Sequence, residues 1–158
     1  MTPMLADTRL STTLTQYVAD VFARLGQFPA SAIQLMARVA VGAVFFKSGL
    51  TKIANWDLTV MLFRDEYAVP VLPPNIAAFL GTTAELICPV LLVLGLATRL
   101  GTLPLLAMTF VIQTFVYPEN WAEHLTWATL LLLVLTRGPG AISIDHLIAR
   151  TLRRGGAL

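Results

Sequence analysis

The chain has little charge. Asp, Glu, Lys and Arg together make up 13% of its 158 residues, against roughly 25% in an ordinary soluble domain. Hydrophobic residues reach 56% and the mean hydropathy is +0.74, values that belong to a membrane protein. Cysteine is nearly absent. The single Cys88 excludes an intramolecular disulfide, a CxxC redox pair and a thiolate zinc cage built from this chain alone. The 11 basic residues are scattered, and the net charge of +2 comes without a basic run or aromatic interleaving, so nucleic acid is set aside as a partner. A Walker loop, GxGxxG, a nucleophile elbow and HExxH are all missing, which removes the usual support for kinase, nicotinamide-dependent or hydrolytic chemistry. The first 29 residues are mixed in polarity and lack the continuous apolar core of a secretory signal, so no cleaved leader is expected.

What is present predicts an all-α protein, a four-helix transmembrane bundle with flanking amphipathic surface helices. Residues 1–29 form an N-terminal cytoplasmic-side segment in which Leu14, Val18, Val21, Phe22 and Leu25 recur at helical spacing. The bundle occupies residues 30–136, with spans at about 30–54, 75–97, 101–117 and 121–136. The last two are short and call for tilt, local thinning or burial against neighbours. In residues 137–158, Gly138-Pro139-Gly140 forces a turn and Ser143 caps a second amphipathic helix. Ile144, Leu147, Ile148 and Leu152 make its apolar face beside Arg150, Arg153 and Arg154. Most basic residues fall near the N-terminus, the turn at Arg99 and the C-terminus, whereas residues 118–123 carry Glu119 and Glu123 and no Lys or Arg. Both chain ends are therefore expected in the cytoplasm.

Ionisable residues inside apolar spans are the first candidates for chemistry. In the first span Arg38, Gly42, Phe45, Gly49 and Lys52 share one stripe, suited to close helix approach with cations reaching toward the interfaces. Lys47 lies about 200° around the helix from Phe45 at 100° per residue, and needs a partner or water. Glu85, near the middle of the second span, is its expected partner, with Arg38 within reach as well. A structural ion pair, a proton relay, a quinone headgroup contact and an ion site all remain open for this group. Pro89 removes the normal donor to the carbonyl of Glu85. Thr109, Gln113 and Tyr117 form a polar stripe on the third span, explained by interhelical hydrogen bonds. The candidate core set is thus Arg38, Lys47, Lys52, Glu85 and Gln113.

A second set, Glu66, Tyr117 and His124, is placed at the outer surface. There Trp56, Val60, Phe63 and Tyr67 give the loop over residues 55–74 an apolar helical face, suited to a lid over the bundle. His124 is a candidate metal ligand or proton carrier, set against plain aromatic belting by Tyr117, Trp121 and Trp127. It lies on the opposite side from His146, so the two cannot share a haem in a monomer. Met36, Met61, Met108 and Cys88 are soft donors for copper in principle, although scattered methionines are ordinarily core residues. No metal site is assigned.

The run from Arg38 to Ile53 with its KSGLTKI core, Glu85 within TAELICPVLLVLGLATR, and GPGAISID resemble the DoxX family of four-span bacterial inner-membrane proteins, over residues 33–148. LFRDEYAVPVLPP and FVYPENWAEHLTWA resemble the branch found beside genes for DUF692-type metalloproteins and small copper-linked peptides. The resemblance implies the four-span fold, with Arg38, Gly49, Lys52, Glu85, Arg99, Gly138 and Asp145 at matching positions. It also implies association with quinone-coupled thiosulfate oxidation or thiol-stress complexes. The resulting expectation is an inner-membrane component of a redox or metal-stress system that contacts quinone or relays protons for a partner. The rival is a non-enzymatic transport, copper-handling or assembly subunit. Quinone is the first cofactor candidate and copper the second; the expected partners are the lipid bilayer and either other proteins or further copies of the chain.

Overall fold

A computed structural model describes residues 4–155, and the side chains of residues 15–153. The expectations placed on Leu14 and Arg154 lie outside the described side chains. Every described regular element is helical. The chain divides into two compact units, the first reaching Ala30 and the second starting at Ser31.

The first unit contains α1 (Met4–Gly26). Tyr17, Phe22 and Leu25 are each more than half exposed on it.

The second unit holds α2 (Ala30–Ala54), α3 (Trp56–Asp65), α4 (Pro74–Leu94), α5 (Thr98–Val111), α6 (Trp121–Arg137) and α7 (Ile144–Gly155). A π-helical turn, Ile112–Val116, carries α5 onward, and a 3-10 turn, Pro118–Asn120, leads into α6. Among the described residues, three helices are long and apolar enough to cross a bilayer: α2, α4, and α5 taken through Val116. Large apolar side chains such as Val39, Phe46, Phe79, Ile87, Leu103 and Phe110 point out of the protein on these helices. Apolar exposure on that scale needs lipid around it, not water. The α6 helix has 17 residues, about 25 Å at 1.5 Å per residue.

Sequence chemistry sets the boundaries. Only Asn55 separates α2 from α3, and its side chain accepts a hydrogen bond from the Leu58 amide at 3.1 Å, an N-cap that starts α3 at once. Pro74 opens α4, where its missing N–H costs nothing. Gly95, at φ +70°, ends α4, with Leu96 N–H bonded to the Leu91 carbonyl and Gly95 N–H to that of Leu92. The second span therefore stops at Leu94 rather than at residue 97.

Small residues bring α2 and α4 together. A Cβ added to Gly42 would stand 3.2 Å from Val93 and 3.5 Å from the Pro89 carbonyl, and one added to Gly49 would stand 3.1 Å from Glu85 Cβ. The glycine stripe on α2 is thus the packing face toward α4. Val41, Phe45, Cys88, Leu92, Leu105 and Leu131 form the main core, and Phe63 of α3 packs on Ala77 and Ala78 in a second.

Candidate functional site

Lys52 and Glu85 form the central polar group. The Lys52 ammonium donates to Glu85 Oε2 at 2.7 Å, to Glu85 Oε1 at 2.8 Å and to Ser48 Oγ at 2.8 Å, so its three protons are all engaged. Ser48 also donates to Glu85 Oε1, at 3.2 Å. The side chains are 12% and 4% exposed, respectively. Lys47, the partner expected for Glu85, is exposed instead. The first reason is the helical face: Lys47 lies about 200° around the helix from buried Phe45, whereas Lys52 shares the Gly42 and Gly49 stripe that packs on α4. The second is the tilt of helical side chains toward the N-terminus, which carries the long Lys52 stem back one turn to the level of Ser48, where Glu85 of α4 sits.

Arg38 departs from expectation by the same tilt. It is fully buried and reaches away from Glu85, donating to the carbonyls of Leu92 (3.0 Å), Val93 (3.2 Å) and Ile142. Two of these belong to the last turn of α4, where the Leu92 carbonyl also takes the Gly95 N–H, and the cation complements the negative end of the helix. Asp145 completes the adjoining one. Its carboxylate accepts from the Ala97 and Thr98 amides and the Thr98 hydroxyl at 2.8–3.0 Å, capping α5 from 47 residues away in sequence. Burial alone would raise the Asp145 pKa, but these donors, with a smaller contribution from Arg38, hold it below the usual carboxylate range. Arg38 and Asp145 clamp the far end of the bundle and take no part in the Lys52–Glu85 site.

The Lys52–Glu85 pair faces an open cavity of about 560 Å³ lined by α2, α3, α4, α5 and α6, within the size range of small-molecule sites. Its wall is mostly apolar, with Phe45, Phe63, Leu80, Met108, Val111 and Ile112 among the contributors. The expected lid is present as α3. Phe63 lies against Gly81, where an added Cβ would approach its ring to 3.2 Å, and stacks edge-on against Tyr67 with ring centres 5.0 Å apart.

Two further polar pairs each reach the cavity through one member, His124 and Tyr117. Gln113 donates to the Pro118 carbonyl at 2.8 Å and presents Oε1 to His124 Nδ1 at 2.7 Å. His124 was expected at the outer surface; it is buried at 3% exposure, its ring 5.1 Å from Trp127. The Tyr117 hydroxyl donates to Glu66 Oε1, with Tyr67 beside it, ring centres 6.1 Å apart. The Glu66 contact, more than burial, raises the Tyr117 pKa, whereas burial is the main cause for Tyr67, which is also raised. Thr109 drops out of the interhelical stripe, since its hydroxyl bonds the Leu105 carbonyl of its own helix.

The eight candidates therefore resolve into two cavity pairs, Lys52 with Glu85 and Gln113 with His124, one rim pair, Glu66 with Tyr117, and two residues elsewhere, Arg38 and Lys47. Ser48 joins the Lys52–Glu85 pair without having stood out in the sequence. Ser48, four residues before Lys52, was accessible from i, i+4 spacing alone. The soft donors do not converge: Met36 and Met61 are more than half exposed, while Cys88 is in the main core with Met108 packed against it.

The DoxX family model matches residues 33–118, which contain α2 to α5 and the Lys52–Glu85 site. The chain belongs to the DoxX family. An uncharacterized protein of Haemophilus influenzae is 28% identical over 128 residues, covering 73% of this chain and 83% of its own length. The inner membrane protein YphA of Escherichia coli is 29% identical over 127 residues, covering 71% and 87%. No solved structure matches. This DoxX protein is a membrane protein whose buried ion pair opens on a cavity between its helices.

Proposed function

We propose that this DoxX protein is an inner-membrane component of a bacterial redox system, and that its cavity holds the ring of a quinone-class ligand on behalf of a partner protein. The carrying observation is the cavity itself: about 560 Å³, mainly apolar and aromatic, with the Lys52–Glu85 pair, His124 and Tyr67 on its wall. An apolar wall with a few placed polar groups suits a flat, uncharged, amphipathic molecule that arrives through lipid. The neutralised ion pair supports the uncharged choice, because Lys52 has no free proton for an anion. The likeness to YphA supports the inner membrane.

The bundle in this reading has four spans, α2, α4, α5 and α6, the last compensating for its 17 residues by tilt. Both chain ends are cytoplasmic, and α7 lies on the inner leaflet with Leu147, Ile148 and Leu152 exposed beside Arg150 and Arg153. The test is titration of the protein in lipid nanodiscs with a short-chain benzoquinone in both redox states. Saturable binding of at least one state is expected. Ala107→Trp, which fills the cavity from its α5 wall, abolishes that binding, and Glu85→Gln shifts the dissociation constant by about fivefold or more. No binding at saturating ligand contradicts the proposal.

A further inference from the structure

The hydrogen-bond chain through Gln113 fixes what His124 shows to the cavity. The Pro118 carbonyl can only accept, so it takes the Gln113 Nε2 amide, at 2.8 Å. That turns Gln113 Oε1, also an acceptor, toward His124 Nδ1 at 2.7 Å. Nδ1 must then carry the proton, and in the neutral ring the lone pair is on Nε2. No donor to Nε2 is found among the described residues, although the His124 side chain is 3% exposed and lines the cavity. Nε2 is thus an open acceptor on a mostly apolar wall, and a ligand that brings a donor to it gains a hydrogen bond there.

Three donors on the wall do not discriminate, and Glu123, an acceptor-only side chain there, is exposed. The Trp127 indole N–H, the Asn120 amide and the Tyr67 hydroxyl can each donate to a carbonyl or to a hydroxyl oxygen. Lys52 donates to neither, being saturated by Glu85 and Ser48. The groups that distinguish a hydroxyl from a carbonyl are the acceptors, and His124 Nε2 is the one whose tautomer the fold determines.

We infer that His124, positioned by Gln113, accepts a hydrogen bond from a ring hydroxyl, so that the cavity selects the reduced, dihydroxy form of a neutral ring compound over its oxidised, dicarbonyl form. This rests on the ligand-binding reading above and adds a redox-state preference to it. No bond is made or broken: the site recognises one state of a ligand whose oxidation occurs elsewhere. His124 is the specificity determinant and Gln113 the positioning residue.

The test uses full-length protein in nanodiscs at pH 8, titrated anaerobically with a short-chain benzoquinone and with the same compound reduced by dithionite. The hydroquinone is expected to bind about tenfold tighter, the factor for one added hydrogen bond. His124→Leu brings the two affinities together by weakening the hydroquinone, and Gln113→Leu reduces the ratio by releasing the tautomer. Because either variant can disturb packing, the wild-type protein labelled with ¹⁵N-histidine supplies an independent readout. The Nε2 resonance of His124 should move toward the hydrogen-bonded range with hydroquinone and not with quinone. Equal binding of both forms by the wild type, or an Nε2 resonance indifferent to hydroquinone, overturns the inference while leaving the cavity reading intact. Binding of neither form overturns both.

Discussion

Replacing Lys52 by methionine leaves the Glu85 carboxylate 4% exposed, inside a bilayer-spanning helix, with the Ser48 hydroxyl as its one remaining hydrogen-bond donor of those observed. Removing one partner of a buried pair costs about 3–5 kcal/mol, because the survivor stays desolvated and uncompensated. Glu85→Leu should cost a similar amount by stranding the ammonium. The double replacement removes both charges, and it should return to within about 1 kcal/mol of wild type, since a well-packed apolar pair is often neutral or better. The same geometry predicts that Lys47→Met, at an exposed position, stays within about 0.5 kcal/mol of wild type. Reversible unfolding by SDS in mixed micelles, run as a double-mutant cycle, measures all four quantities. Additive single-mutant costs in the double variant would refute the pair as an energetic unit, and a Lys47 variant as damaging as the Lys52 one would refute the assignment of partner.

Gly49→Ala should destabilise by about 1–3 kcal/mol in the same assay, because its Cβ meets Glu85 Cβ at 3.1 Å and Leu86 at 2.9 Å, whereas Gly26→Ala, with nothing within 4 Å, should be close to neutral. Asp145→Ala should cost about 1–2 kcal/mol at pH 7, the usual value of a lost N-cap. The folded-state pKa of Asp145 is depressed, so its contribution is complete above the unfolded value of about 3.9 and is lost as pH falls through the folded value. Stability curves of wild type and variant should therefore run parallel from pH 7 to pH 5 and converge only in stronger acid. Ultraviolet titration should find Tyr67 and Tyr117 still protonated at pH 10, near the ordinary phenol midpoint. Glu66→Gln should move Tyr117 downward; an unchanged titration would argue against their hydrogen bond.

Length, apolarity and punctuation made the helices legible. Pro73-Pro74 announced α4, Gly138-Pro139-Gly140 announced the turn before α7, and the spacing of Trp56, Val60, Phe63 and Tyr67 announced the lid helix. The pairing of charges was harder to read, because depth counted along the backbone ignores the tilt of long side chains. Counting placed Lys47 opposite Glu85; the stem of Lys52 reaches there instead. Asp145 was beyond sequence reasoning for another reason. It caps a helix whose own N-cap residue, Ala97, has no side-chain acceptor, and nothing local reveals which distant carboxylate fills the gap. His124 read as an interfacial residue from its aromatic neighbours, yet the π-helical turn and the Pro118 carbonyl turn Gln113 toward it inside the cavity.

The central claim is that a ring ligand occupies the cavity beside Lys52, Glu85 and His124. Photolabelling in native lipid with a diazirine-bearing short-chain benzoquinone, followed by peptide mass spectrometry, tests this most directly. Labels on cavity-wall residues such as Phe45, Met108, Val111 and Trp127, lost in Ala107→Trp, are the predicted result. Labels confined to the lipid-facing residues Phe46, Phe79, Ile87 and Phe110, and unaffected by that substitution, would contradict it.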